Sequence, residues 1–164
     1  MNNFNWTSFT KKIAIKAELS DLYDAWTIPR ELEKWFLNKA VYYSHDGTQV
    51  PRNENIKQND VYEWSWFLFD VVEKGKVIQA NGKDQLQFSF AGNCIVEVKL
   101  TQHDENVIVE LSQSHIPTDD QSKRNIRLGC DSGWSFFLVN LKSVYEGGLD
   151  LRNKDEMLKG MLNN

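Results

Sequence analysis

The chain is poor in the residues that most often announce a chemistry. It has two cysteines, three histidines and three prolines among 164 residues. Cys94 and Cys130 are too few for a disulfide framework and read as reduced, buried small hydrophobes. They would form a redox pair only if the fold set them side by side. No Cys-x-x-Cys, no His-x-x-x-His and no carboxylate cluster at ligand spacing offers a metal site, so no metal and no cofactor is expected. Asn81-Gly82-Lys83-Asp84 contains Gly-Lys, but it joins two strands and lacks the helix whose N-terminus would hold a phosphate. No apolar run approaches the ~20 residues of a membrane helix, and Met1 to Thr10 has no apolar stretch of signal-peptide kind. Membrane insertion and secretion are therefore not expected, and a cytoplasmic location is. Positive charge is not in excess either: 19 basic against 23 acidic residues leave −4, with no dense Lys/Arg cluster. Nucleic acid is not an expected partner.

What the chain does have is aromatic mass, with 6 Trp, 9 Phe and 5 Tyr. With 41% apolar residues it holds enough to build a core, which excludes disorder. Its length suits one domain spanning 1–164, with a core of about 10–153 and a C-terminal tail of 154–164.

Thr10 to Ala17 reads as a strand, Ile13 and Ile15 alternating with Lys12, Ala14 and Lys16. Ser20 is an expected N-cap, with Asp21 in the first turn, and Leu22, Tyr23 and Trp26 give a short helix its apolar face. Pro29 ends it or opens a second helix at N1, carrying Leu32, Trp35 and Phe36. From Lys39 the period becomes two. Val41 and Tyr43 suggest a strand, and Gly47 and Pro51 a loop. Val61 to Phe69 is dense in strand formers, with Tyr62, Trp64, Trp66 and Leu68 expected on one face. Glu73 to Ala80 follows, around an expected turn at Lys74-Gly75. Asn81-Gly82 suits positive φ. Leu86, Phe88 and Phe90 alternate next, then Val96, Val98 and Leu100, then Val107, Val109 and Leu111, the signature of an antiparallel meander. Thr118-Asp119-Asp120 opens a long helix whose apolar stripe runs through Ile126, Cys130, Trp134, Phe137, Leu138, Leu141, Val144 and Tyr145, and Gly147-Gly148 caps it. A long helix after a curved sheet packs most economically across its concave face. The expected class is α+β in a helix-grip arrangement, β-α-α-β6-α.

The segment Ile15 to Pro29, with Trp35-Phe36 closing the second helix, resembles the opening of SRPBCC (START-like) proteins. Gly129-Cys130-Asp131-Ser132-Gly133-Trp134, Asn140-Leu141-Lys142 and Gly147-Gly148-Leu149-Asp150-Leu151-Arg152 resemble the branch named for activators of the ninety-kilodalton heat-shock protein ATPase. The likeness runs from about Ile13 to Asn153. It implies a helix-grip fold around a hydrophobic cavity and leaves the activity open, since the superfamily includes lipid carriers, hormone receptors, aromatase/cyclases, oxygenase subunits and co-chaperones. Eukaryotic activators carry an additional N-terminal domain that makes much of the chaperone contact. Little sequence precedes the first strand here, so that domain is expected to be missing.

The expected ligand-binding residues are the aromatic faces: Tyr62, Trp64, Trp66, Phe88 and Phe90 on the sheet, opposite Trp134, Phe137, Leu138 and Leu141 on the helix. These rings either line a pocket or plug it. Gly129 and Gly133, one turn apart, would open room on the helix. Tyr62, Tyr145, Gln113 and Glu63 are candidate polar points, because buried Trp and Tyr need partners. The expected function is binding of a small hydrophobic, aromatic or lipid-like molecule. The alternatives are a cyclase/hydrolase-type enzyme using the same cavity and a chaperone-interacting module. No catalytic residue is assigned. His45 and His103 lie in polar turns, and His115, at the strand-to-helix junction, is the one histidine worth testing. Cys130 has no visible activating base. Leu151, Met157, Leu158, Met161 and Leu162 in the tail are expected to form a short amphipathic segment docking on the domain or on a second subunit. The assembly is expected to be a monomer or a homodimer.

Overall fold

The computed structural model describes residues 4–164; residues 1–3, part of the N-terminal stretch discussed above, lie outside them. The elements run β1 (Phe9–Ile15), α1 (Leu19–Thr27), α2 (Pro29–Trp35), β2 (Lys39–Tyr43), β3 (Val61–Ser65), β4 (Val72–Ala80), β5 (Gln85–Phe90), β6 (Cys94–His103) and β7 (Asn106–Ser114). There follow α3 (Asp120–Ser122), a π-helical stretch Lys123–Leu128, α4 (Gly129–Tyr145) and a 3-10 turn Glu156–Leu158. The strands form one antiparallel sheet of order β1-β7-β6-β5-β4-β3-β2. This is the expected α+β helix-grip architecture.

Period-two alternation does most of the building. β7 alternates without a break, burying Val107, Val109, Leu111 and Gln113. It pairs with β6, which turns Val96, Val98 and Leu100 the same way. Asn81 Oδ1 accepts the amides of Lys83, Asp84 and Gln85, and Gly82 sits at φ +74°, which explains that turn. Pro29 stands at N1 of α2, where its missing N–H is no loss. Trp26 and Trp35 then meet edge to face at 4.7 Å across the helix pair.

Four local expectations need correction. α1 begins at Leu19 with Glu18 as its N-cap, extended at φ −69° and ψ 142°, so Ser20 lies within the first turn. The strand expected to reach Phe69 stops at Ser65, because Leu68 adopts φ +64° and reverses the chain into β4. No turn occurs at Lys74-Gly75. β4 runs straight through, and a Cβ on Gly75 would come within 2.4 Å of the Tyr62 hydroxyl. The glycine is there for close approach, not for reversal. The start of the long helix is π-helical over six residues, a feature the stripe of Ile126 and Cys130 does not reveal.

That π-helical stretch turns Arg127 inward. The guanidinium donates to Asn5 O at 2.9 Å, pairs with Asp131 at 2.9 Å and lies over the rings of Phe4 and Phe9. Lys11 reaches the other Asp131 oxygen at 2.6 Å, tying α4 to β1. The other end is held by the Leu149-Asp150-Leu151-Arg152 motif. Buried Arg152 donates to the carbonyls of Leu37 and Glu33 and pairs with Asp150. Buried Asn140 donates to Trp35 O and Asp150 and accepts from Leu151 N. Gly147, at φ +81°, ends the helix so that this segment can fold back.

Candidate functional site

A groove of about 660 Å³ opens between the first half of α4, the β3–β4 turn and the tail. Its floor is aromatic. Trp134 is held by an indole bond to Gln113 Oε1 at 3.0 Å and stacks on Phe36 at 5.0 Å. Phe36 also meets Trp66 and Phe137 edge to face. Phe90 leans on Trp134 at 5.4 Å. On the helix wall stand Gly129, Cys130 and Gly133, and a Cβ on Gly133 would meet no other heavy atom within 4 Å. At the mouth lie Phe69 and Val71 of the turn and Met161 and Leu162 of the tail.

The expected ligand residues divide into two sets. Trp66, Phe90, Trp134 and Phe137 line this groove. Tyr62, Trp64, Phe88, Leu138 and Leu141 sit in the closed core instead. There Tyr62 stacks on Trp64 at 3.9 Å, Trp64 meets Phe88 at 5.3 Å, and Tyr42 accepts the Trp64 indole N–H. The aromatic mass is thus plug at the middle of the strands and lining at their ends.

Other groove residues were not among the expected ligand contacts: Phe36, Phe69, Val71, Glu73, Asn125, Ser132, Phe136, Gly160, Met161, Leu162 and Asn164. Alternation back from buried Val77 through Gly75 puts Glu73 on the inner face, and that signal was present in the sequence. The tail, by contrast, forms no amphipathic helix. Asn153 gathers it by bonds to Leu158 O and Asn164, and Asn163 donates to Leu151 O. The loop so closed lies against its own domain at the groove mouth, while Met157 remains 89% exposed.

The polar candidates have ordinary partners. Tyr62 donates to Ser89 O, and burial raises its pKa. Tyr145 donates to Glu31 at 2.8 Å, and burial together with that carboxylate raises its pKa too. Glu63 faces outward and pairs with Lys74 at 2.7 Å. Fully buried Gln113 makes no full hydrogen bond through Nε2, which lies beside the thiols of Cys94 and Cys130. Burial pushes the Cys130 thiol up to about 11, against the smaller opposite pull of Gln113. Both cysteines are free thiols.

Glu73 is different. Its Oε1 accepts the Ala91 amide at 2.7 Å, and it forms no ion pair among the described residues. His45, His103 and His115 are all exposed, and none lines the groove. His115, at φ +59°, hydrogen-bonds through Nδ1 with Ser114 Oγ. Among the described residues no three His, Cys, Asp or Glu side chains come together to hold a metal ion, and no helix is long and apolar enough to cross a membrane.

Comparison with known proteins agrees with this fold. Residues 16–146 match the family described as Activator of Hsp90 ATPase homolog 1-like protein. No curated protein matches. Among solved structures, the chain resembles the Aha1 dimer from Colwellia psychrerythraea at 20% identity and TM-score 0.66, covering 86% of this chain and 97% of that one. It resembles an HSP90 activator from Plasmodium falciparum at 14% identity and TM-score 0.62, covering 84% and 95%. It also resembles DynU16, from the dynemicin biosynthetic locus, at 18% identity and TM-score 0.69, covering 90% of this chain and 50% of that one. At these identities the likeness speaks for the fold.

Proposed function

This chain belongs to the Activator of Hsp90 ATPase homolog 1-like family, and from that footing we propose that it binds a small hydrophobic or aromatic molecule in the groove between α4 and the sheet. The observation carrying the reading is the groove itself. Its volume of about 660 Å³ falls among the ~300–1,000 Å³ of ligand pockets, and rings of Phe36, Trp66, Phe90, Trp134 and Phe137 make its floor. The rings are fixed by mutual packing and by the Trp134–Gln113 bond, so an entering molecule meets a preorganised apolar surface. Each ligand CH₂ buried there contributes about 0.8 kcal/mol.

The test is titration of the protein with a panel of long-chain alcohols, sterols and polycyclic aromatics, read by tryptophan fluorescence and by melting temperature. Trp66 and Trp134 in the groove should report a ligand by quenching or a spectral shift. A panel that moves neither signal overturns the reading.

The second reading is contact with a chaperone of the Hsp90 class. The family description supports it, as do the exposed apolar side chains Phe69 and Val71 on the β3–β4 turn and Val72 at the start of β4. Stimulation of a purified Hsp90 ATPase, lost on Val71→Asp, would favour it. The relative from Colwellia psychrerythraea is a dimer, and light scattering of this chain decides between monomer and homodimer.

A further inference from the structure

Among the described residues Glu73 carries the one charged side chain on the groove wall; the side chains of Asn125 and Ser132 are polar but neutral. It projects from the inner face of β4, in the same alternating row as Gly75 and Val77. One carboxylate oxygen is fixed by the Ala91 amide at 2.7 Å, and the other has no protein donor among the described residues. Asp131, also partly buried and on α4, is held by both Lys11 and Arg127. Glu73 has no such cation. Glu73 is only half-buried, so its free oxygen stays open to the groove, where an ammonium can reach it and form a charge-assisted hydrogen bond. Trp66 and Phe90 stand on the same wall, and their faces attract a cation as well.

We propose that the groove selects apolar molecules carrying a protonated amine, with the ammonium held by the free oxygen of Glu73 and the apolar body lying against Trp66, Phe90 and Phe137. This rests on the groove being a ligand site and adds the chemistry of its head group. It excludes fatty acids and other anionic amphiphiles as preferred ligands, because an uncompensated carboxylate repels a second negative charge across a wall of low polarity. Glu73 binds and orients; no covalent step is involved.

The test uses the full chain and three probes of one shape, 1-naphthylmethylamine, 1-naphthylmethanol and 1-naphthoic acid, titrated calorimetrically at pH 7. The amine should bind about tenfold tighter than the alcohol or better, and the acid weakest. The Glu73→Gln variant keeps an acceptor for Ala91 N. It should lose about tenfold or more in amine affinity while its affinity for the alcohol stays within about twofold. Equal affinity for all three probes, or a Glu73→Gln loss that is uniform across them, overturns the head-group assignment and leaves the groove a ligand site. Absence of binding by every probe, with no effect from the wider panel above, overturns both.

Discussion

Gly133 gives the sharpest test of whether the groove is kept open for use. It lies within α4, and glycine in a helix interior is less favourable than alanine by about 0.8–1.0 kcal/mol. Usually such a glycine is excused by crowding. Here a Cβ would meet no other heavy atom within 4 Å. The backbone is helical and needs no left-handed freedom, so nothing in the packing requires glycine. Gly133→Ala is therefore expected to stabilise the protein by about 1 kcal/mol, raising Tm by roughly 2–4 °C in a chain of this length. Gly133→Leu keeps the gain in helix propensity and sends an isobutyl group into the groove between Trp134 and the β3–β4 turn.

The assay pairs thermal and urea unfolding with calorimetric titration of 1-naphthylmethylamine. The expected pattern is dissociated: Gly133→Ala more stable with binding little changed, and Gly133→Leu at least as stable as the parent with affinity down by about tenfold or more. The magnitude follows from displacing several ligand carbons, each contributing about 0.8 kcal/mol, from contact with the wall. A Gly133→Ala variant destabilised by 1 kcal/mol would refute the argument that this space is free. A Gly133→Leu variant with undiminished affinity would refute the groove as the binding place.

The same reasoning predicts the opposite sign at Gly75, where a Cβ would sit 2.4 Å from the Tyr62 hydroxyl. Gly75→Ala should destabilise by about 1–3 kcal/mol in urea unfolding, and a neutral result would mean Tyr62 moves freely. Arg152→Leu should lose about 3–5 kcal/mol, because it strands the Leu37 and Glu33 carbonyls and leaves Asp150 without its main partner; limited proteolysis should then cut after Gly148 in the native chain. Burial alone would raise the Asp150 carboxyl, but bonds from Arg152, Lys154 and Asn140 outweigh it and hold it well below the usual carboxylate range. A folded pKa below the unfolded value of about 3.9 means stability present above that pH and lost as pH falls beneath it, so Asp150→Asn should flatten the acid limb of an unfolding-versus-pH curve. With its thiol pushed up to about 11, Cys130 should alkylate slowly at pH 8 and rapidly only as pH approaches that value; fast iodoacetamide labelling at neutral pH would contradict its burial.

The sheet was legible because its signal is redundant. The inward residues of β7 recur at every second position, and the Asn81-Gly82 turn states its own geometry, so element type and order follow from pattern alone. The likeness of the opening and closing motifs to a known superfamily then supplies the closure of sheet upon helix. Helix ends and strand ends were less legible. A π-helical turn changes hydrogen bonding without disturbing the spacing of Ile126 and Cys130, and nothing local marks Leu68 as left-handed.

The site was harder to read for one physical reason: whether a ring lines a pocket or fills a core depends on how far along its strand it lies. Tyr62, Trp64 and Phe88 sit within their strands, while Trp66 follows the last residue of β3 and Phe90 is the last of β5. All five share the same alternation, which assigns a face and not a depth. The supposed turn at Lys74-Gly75 did further damage. Breaking the strand there resets the alternation and detaches Glu73 from Val77, hiding the one charged side chain on the groove wall. Gly75 reads as a turn only when glycine is taken to signal conformational freedom. Its φ is not positive, and Tyr62 lies across it instead. The packing of one tyrosine in the plug thus permits an unbroken β4, and that strand in turn carries Glu73 into the groove. Displacing Tyr62 by Gly75→Ala should accordingly weaken amine binding as well as stability, linking the two halves of the aromatic cluster in one measurement.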